Sequence, residues 1–191
     1  DGNGTAVVME AARLLATCGA KPDRSIMFCL WTGEEFGLLG SKYFVENRTV
    51  PYESISNYFN RDGGPTLATS ITVPPAMYED FVKVCKPIED YVEGVHFTVN
   101  ERKGEPGPRP VSAGGSDHAY FAMNGVPAIS FRESDPFGYN FDFREIWHTE
   151  NDRYNKLIPE YMEPSAVISA VVAYGLANLS HLLSREGIYS E

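Results

Sequence analysis

The sequence has no long apolar run: none approaches the ~20 residues a helix needs to cross a bilayer. It is poor in positive charge. Its 16 Lys and Arg stand against 26 Asp and Glu, a formal net charge of −10. That balance excludes the basic surface a nucleic acid requires, and it names no partner, because a moderately acidic surface is also simply a soluble one. Cysteine is scarce: Cys18, Cys29 and Cys85 show no Cys-x-x-Cys spacing, which excludes a zinc-finger pattern. Cys29 reads as a small hydrophobe within an apolar run. The count leaves a Cys18–Cys85 disulfide, and the redox compartment, open. A signal-peptide pattern is missing too. The chain opens on Asp1-Gly2-Asn3-Gly4 without a Met, so it reads as a fragment or processed product. There is no internal repeat, low-complexity tract or linker, and 191 residues fit one domain with one sizeable core. Residues 1–191 are therefore expected to form a single domain.

What is there alternates between two periods. Val7, Val8, Ala11, Ala12, Leu14 and Leu15 recur at helical spacing over 5–18, and Gly19 is placed to end that helix. Residues 25–31 form a short continuous apolar run, as in a strand buried on both faces. Helices are expected over 36–46, 77–92, 116–124 and 164–183, with Ser116 able to cap the third. Further strands are expected over 55–59, 71–73, 95–99 and 126–131. Residues 103–115 are rich in Gly and Pro and read as a loop, and 132–150 as a long aromatic one. This order predicts an α/β fold, a three-layer αβα sandwich with a mostly parallel mixed sheet.

In open α/β sheets, sites form beyond the carboxyl ends of strands. Glu34 and Glu35 follow the run ending at Trp31, Asp62 follows the strand near Phe59, and His148 lies in the loop after the strand ending at Phe131. Each has an ordinary explanation alone: a helix-dipole carboxylate, a turn aspartate, a hydrogen-bonded loop histidine. Their joint placement points instead to a metal, since carboxylates with an imidazole suit Zn²⁺, Mn²⁺ or Co²⁺.

Five stretches in order carry a resemblance. They are Asp1-Gly2-Asn3-Gly4-Thr5-Ala6, then Trp31-Thr32-Gly33-Glu34-Glu35-Phe36-Gly37-Leu38-Leu39-Gly40-Ser41, then Asn60-Arg61-Asp62, then Gly115-Ser116-Asp117-His118, then Trp147-His148-Thr149-Glu150-Asn151-Asp152. Together they resemble the M28 zinc metallopeptidases, in their carboxypeptidase Q-like and bacterial aminopeptidase branches. The resemblance implies a zinc exopeptidase fold lacking its amino-terminal strands, a site for two zinc ions, a peptide substrate and a secreted or periplasmic setting. It implies Glu34 as general base, Glu35 and His148 as ligands of one zinc, and Asp62 as a ligand of the other. Ser116 and Asp117 match a stretch beside the substrate pocket. His96 and His181 match no ligand and read as structural or exposed.

Two ligands implied by the resemblance are missing: a histidine of an upstream His-x-Asp, and a bridging aspartate that would fall just ahead of Asp1. Asp1 itself matches the residue after that bridge. Arg61 departs from the usual apolar residue between the Asn and the Asp. The expected activity is metal-dependent hydrolysis at a peptide terminus or in a dipeptide, weak or absent in these residues alone. Sheet edges left open by missing strands would invite association into an oligomer. Phe137, Tyr139, Phe141 and Phe143 could wall the substrate or simply pack the long loop, the latter for at least two of them. The alternatives are a non-catalytic receptor or interaction domain of the same fold, and a serine hydrolase built on Ser116-Asp117-His118. No Gly-x-Ser-x-Gly elbow supports the second.

Overall fold

A computed structural model describes residues 2–190; Asp1, with its expected place beside the bridging ligand, lies outside the described residues. Helix α1 spans Gly2–Thr17 and buries Gly4, Val7 and Ala11, the i, i+3, i+7 stripe of one helix face. It stops where Gly19 turns left-handed at φ 66°, with Ala20 N bonded to Leu15 O at 3.0 Å.

The assigned sheet is small and mixed. Strand β1 (Leu67–Val73) lies between β2 (Thr98–Glu101), parallel to it, and β3 (Phe131–Ser134), antiparallel. The α/β class is as expected, but the described ladder is not mostly parallel. Leu67, Ala68, Ile71 and Val73 of β1 are fully buried. They enter a core completed by α3 (Tyr78–Cys85), α4 (Ile88–Tyr91) and α6 (Pro159–Ala177). A smaller apolar cluster of Val45, Phe121 and Val126 joins α2 (Leu39–Asn47) to α5 (Ala119–Met123).

The segment 57–62 runs between these two clusters. Successive side chains of an extended chain point to opposite faces. Tyr58 stacks on Phe121 at 4.4 Å on the α5 side, and Phe59 stacks on Phe131 at 5.2 Å on the α6 side. Helices on both faces of the extended segments give the layered arrangement expected.

Several strand expectations differ. Residues 55–59 and 126–131 lie side by side but form no ladder. Tyr58 N reaches Pro127 O at 2.8 Å; next to it, the Asn57 side chain takes both backbone groups of Ile129, each at 3.1 Å, and Ser130 Oγ accepts from Asn60 N. One side-chain amide and one hydroxyl thus replace bonds a ladder would use, and Pro127 has no N–H to offer. Residues 25–31 pair with no strand among the described residues. Met27 and Leu30 are exposed, so the run is not buried on both faces. The helix expected over 77–92 breaks at Pro87, which has no N–H to continue the helical bonding. The last helix begins earlier than expected, at Pro159, where proline suits a first turn. Cys18, Cys29 and Cys85 are all free, and burial pushes the Cys85 thiol up to about 12.

Gly4 seats α1 against the end of segment 57–62: a Cβ there would lie 1.5 Å from the Arg61 carbonyl oxygen. Gly4→Ala is therefore expected to lower the stability of the chain by about 1–3 kcal/mol through overpacking. Urea denaturation measures this, and an unchanged midpoint would mean that α1 is not seated there.

Candidate functional site

Glu34 and Glu35 sit on a tight loop that folds back before α2. Leu39 N bonds to Gly33 O at 3.1 Å and Gly40 N to Thr32 O at 2.9 Å. Gly33 is left-handed at φ 68°, as is Leu38 at φ 58°. Any side chain at position 40 would meet Thr32 N at 2.8 Å, so the second glycine of Gly-x-x-Gly-Ser is required by the close return of the backbone. Helix α2 starts at Leu39, after this loop, and not at Phe36.

Asp62 is held from the α5 side. Ser116 Oγ donates to Asp62 Oδ2 at 2.6 Å and accepts from Asn60 Nδ2 at 2.8 Å. Asn60 Oδ1 accepts from the Tyr58 hydroxyl at 3.3 Å, and that hydroxyl accepts from Trp31 Nε1 at 2.8 Å. Burial pushes the Tyr58 hydroxyl upward, so it keeps the proton it donates. Beside this chain, Ser41 Oγ donates to Asp117 Oδ1 at 2.5 Å. Trp31, Ser41, Tyr58 and Asn60 were not expected to support the site, although all but Tyr58 stand inside the quoted motifs.

His148 comes from a loop organised by Thr149, whose hydroxyl donates to Ile146 O at 2.9 Å and receives Asn151 N at 3.2 Å. His148 is left-handed at φ 55°, a conformation uncommon for a residue with a side chain and frequent at functional sites. Its ring lies 4.5 Å from that of Trp147, and its Nε2 lies 3.2 Å from Glu35 Oε2. Glu34, Glu35, Asp62 and His148 line one open groove of about 1560 Å³.

The Glu35–His148 separation can be tested against a metal. Two donors on a tetrahedral zinc with bonds of ~2.0–2.1 Å stand roughly 3.3 Å apart. The observed 3.2 Å fits that edge, and it equally fits an imidazolium–carboxylate pair. No group of three His, Cys, Asp or Glu among the described residues gathers tightly enough to hold an ion. Partial desolvation, then the charges of Asp62, Glu35 and Asp117, push Glu34 above the ordinary carboxylate range, while His148 opposes them.

Ser116 and Asp117 lie beside Asp62 and Ser41. Both are buried, at 5% and 7% exposure, and their polar atoms face Asp62, Asn60 and Ser41. Ser116 does not cap α5 with its side chain; that helix begins at Ala119. The serine-hydrolase alternative loses its geometry here, because the Ser116 hydroxyl is committed to Asp62 and Asn60, and His118 Nδ1 has no partner among the described residues. Away from the groove, His96 pairs with Glu89 at 2.7 Å and His181 with Asp80 at 2.9 Å. Of the four aromatics in the long loop, Phe137 and Tyr139 pack on Tyr161, and Phe141 packs on the main core. Phe143 alone lines the groove, stacked on Trp147.

A sequence profile of peptidase family M28 matches residues 1–173. The chain belongs to peptidase family M28. Among M28-related proteins, mouse (Mus musculus) carboxypeptidase Q is 26% identical over 185 residues, covering 97% of this chain and 36% of that protein. The chain thus spans about a third of the length of such curated relatives. A peptidase M28 precursor from Shewanella amazonensis superposes with a TM-score of 0.72 at 27% identity, over 96% of this chain and 38% of that one. A zinc aminopeptidase from Bacillus subtilis shares the fold, with a TM-score of 0.60 at 19% identity over all of this chain and 44% of that one. Among the described residues, no helix is long and apolar enough to cross a membrane.

Burial holds the His118 imidazole below its ordinary 6.5, although Asp62 and Asp117 pull the other way. The folded chain then prefers the neutral ring, and the unfolded chain takes up a proton first as pH falls. This contribution to stability is complete above about pH 6.5 and is lost as pH drops below that value toward the lowered one. Thermal midpoints of the wild type should therefore fall more than those of His118→Gln between about pH 7 and about pH 5. Parallel curves would refute the assignment.

Proposed function

We propose that this chain carries the larger part of a zinc exopeptidase site. In this reading Glu35 and His148 are ligands of one zinc, Asp62 is a ligand of a second, and Glu34 is the general base. The observation that carries it is the 3.2 Å approach of Glu35 to His148 on the groove that Glu34 and Asp62 also line. The names of the relatives, carboxypeptidase and aminopeptidase, support hydrolysis at a peptide terminus or in a dipeptide.

Zinc, when bound, supplies an acidified water and a polarised carbonyl. The chain's own residues supply the rest. Glu34 takes a proton from water and returns it to the leaving amine, a task suited to a carboxyl held above its usual range. Adjacent carboxylates can divide the work because consecutive side chains on the loop diverge. Ser116 keeps one Asp62 oxygen engaged, leaving the other for metal. Ser116 and Asp117 act behind the groove wall in this reading, and Phe143 and Trp147 offer the apolar surface to a peptide. A secreted or periplasmic setting belongs to the same proposal.

Placed in a protein of the relatives' full length, Glu34→Gln should lower kcat by about 10²–10⁴-fold with zinc still bound. Normal turnover in that variant, with its metal content measured, refutes Glu34 as the base. Among the described residues, no third donor joins Glu35 and His148. Calorimetric titration of this chain should show at most one weak zinc, lost in His148→Ala, and peptidase assays should show little turnover. Two tightly bound zinc ions and full activity would overturn the need for further ligands.

A further inference from the structure

Arg61 stands where the resemblance implies an apolar residue, and its side chain is only 4% exposed. Extended geometry turns it away from Asn60 and Asp62, onto the face of Phe59, where its guanidinium lies 5.7 Å over the Phe131 ring. Its Nη1 meets Glu133 Oε1 on β3 at 2.8 Å. Glu133 reaches further along the same turn. Its Oε2 accepts from Thr66 Oγ1 at 3.3 Å, and a Cβ on Gly63 would lie 3.3 Å from that oxygen. From the other side, Asn3 Nδ2 of α1 donates to Gly63 O at 3.2 Å.

A buried ion pair of this kind is a poor source of stability. Desolvation of both charges offsets most of their attraction, and Arg61 Nε and Nη2 are buried without a partner among the described residues. Apolar side chains of similar volume would fill the space at least as well. What the pair supplies is geometry: one carboxylate grips the turn 61–66 at Arg61 and Thr66 while its oxygen packs on Gly63, directly beneath Asp62.

We propose that Arg61 and Glu133 are positioning residues that fix the Asp62 turn for metal binding. This rests on the reading of Asp62 as a zinc ligand. The pair touches neither metal nor substrate; it acts through the backbone on either side of Asp62. Outer partners of this kind typically account for about 10–100-fold in metal affinity.

The test places these residues in a protein of the relatives' full length, where the second zinc can bind, and uses titration of that zinc and amide exchange of the zinc-free protein. In Arg61→Met/Glu133→Met the unfolding midpoint should match or exceed the wild type's. Zinc affinity should fall about 10–100-fold, and amides over 62–66 should exchange faster while those of β1 do not. Glu133→Gln, which keeps one acceptor for Arg61 and offers an amide N–H to the Thr66 hydroxyl, should recover part of the loss. If the double variant does not fold, Thr66→Val serves instead: it removes one contact and leaves the ion pair buried. Wild-type zinc affinity and wild-type exchange over 62–66, in the double variant or in Thr66→Val, overturn the proposal. Asp62→Ala separates the two readings. Unchanged zinc affinity there sinks Asp62 as a ligand, and the exchange data still decide whether the pair holds the turn.

Discussion

The hydroxyl of Ser116 joins two parts of the chain that are far apart in sequence, and the direction of its hydrogen bond sets the direction of several others. Having one proton, it gives that proton to Asp62 and can only accept from Asn60. The Asn60 amide is thereby oriented, its oxygen turned to the Tyr58 hydroxyl, which in turn accepts from Trp31. Every donor from Trp31 onward points toward the Asp62 carboxylate. Bonds aligned in one direction polarise one another and resist rearrangement one at a time. The arrangement ties the end of the 25–31 run, the end of the 57–62 segment and the start of α5 to a single side chain.

The parts of this that could be read in the sequence are those carried by closely spaced residues. The Gly-Glu-Glu-x-Gly-x-x-Gly-Ser stretch encodes its own loop, because Gly33 and Gly40 each meet a local backbone demand. A common rim for Glu34, Glu35, Asp62 and His148 was expected from their placement after strands, the pairing of Glu35 with His148 from the resemblance alone, and these two lie 3.2 Å apart. Strand boundaries were harder. An apolar run such as 25–31 states only that its side chains avoid water. Whether it becomes a strand depends on a partner, and the described residues provide none. Ser116 was expected to cap a helix, a local use, but a distant carboxylate competes for its proton and wins.

Glu133 left no trace at all in the sequence. It looks like any polar residue alternating along a short strand, and its role appears only when the antiparallel register sets β3 beside β1 and beneath the turn at 61–66. Arg61, by contrast, was visible as a departure from the apolar residue implied there. A buried cation requires an anion somewhere, so the anomaly predicts a partner without naming it. The packing of Phe137 and Tyr139, each still about half exposed, against Tyr161 illustrates the reverse: an aromatic cluster that suggests a binding wall and serves packing.

The electrostatics of the groove follow from the same alternation of faces. Glu34 is pushed upward in part by Asp62, Glu35 and Asp117, so these carboxylates are close enough to feel one another. A fold selected for stability alone would place a cation among them, and the nearest one in sequence is Arg61, adjacent to Asp62. Extended geometry sends that guanidinium to the opposite face, where Glu133 holds it. The positive charge is spent beneath the turn, and the negative charge above it is left to His148 and to whatever enters the groove. Such uncompensated repulsion among Glu34, Glu35, Asp62 and Asp117 is the pattern expected where a site is kept ready for a divalent cation.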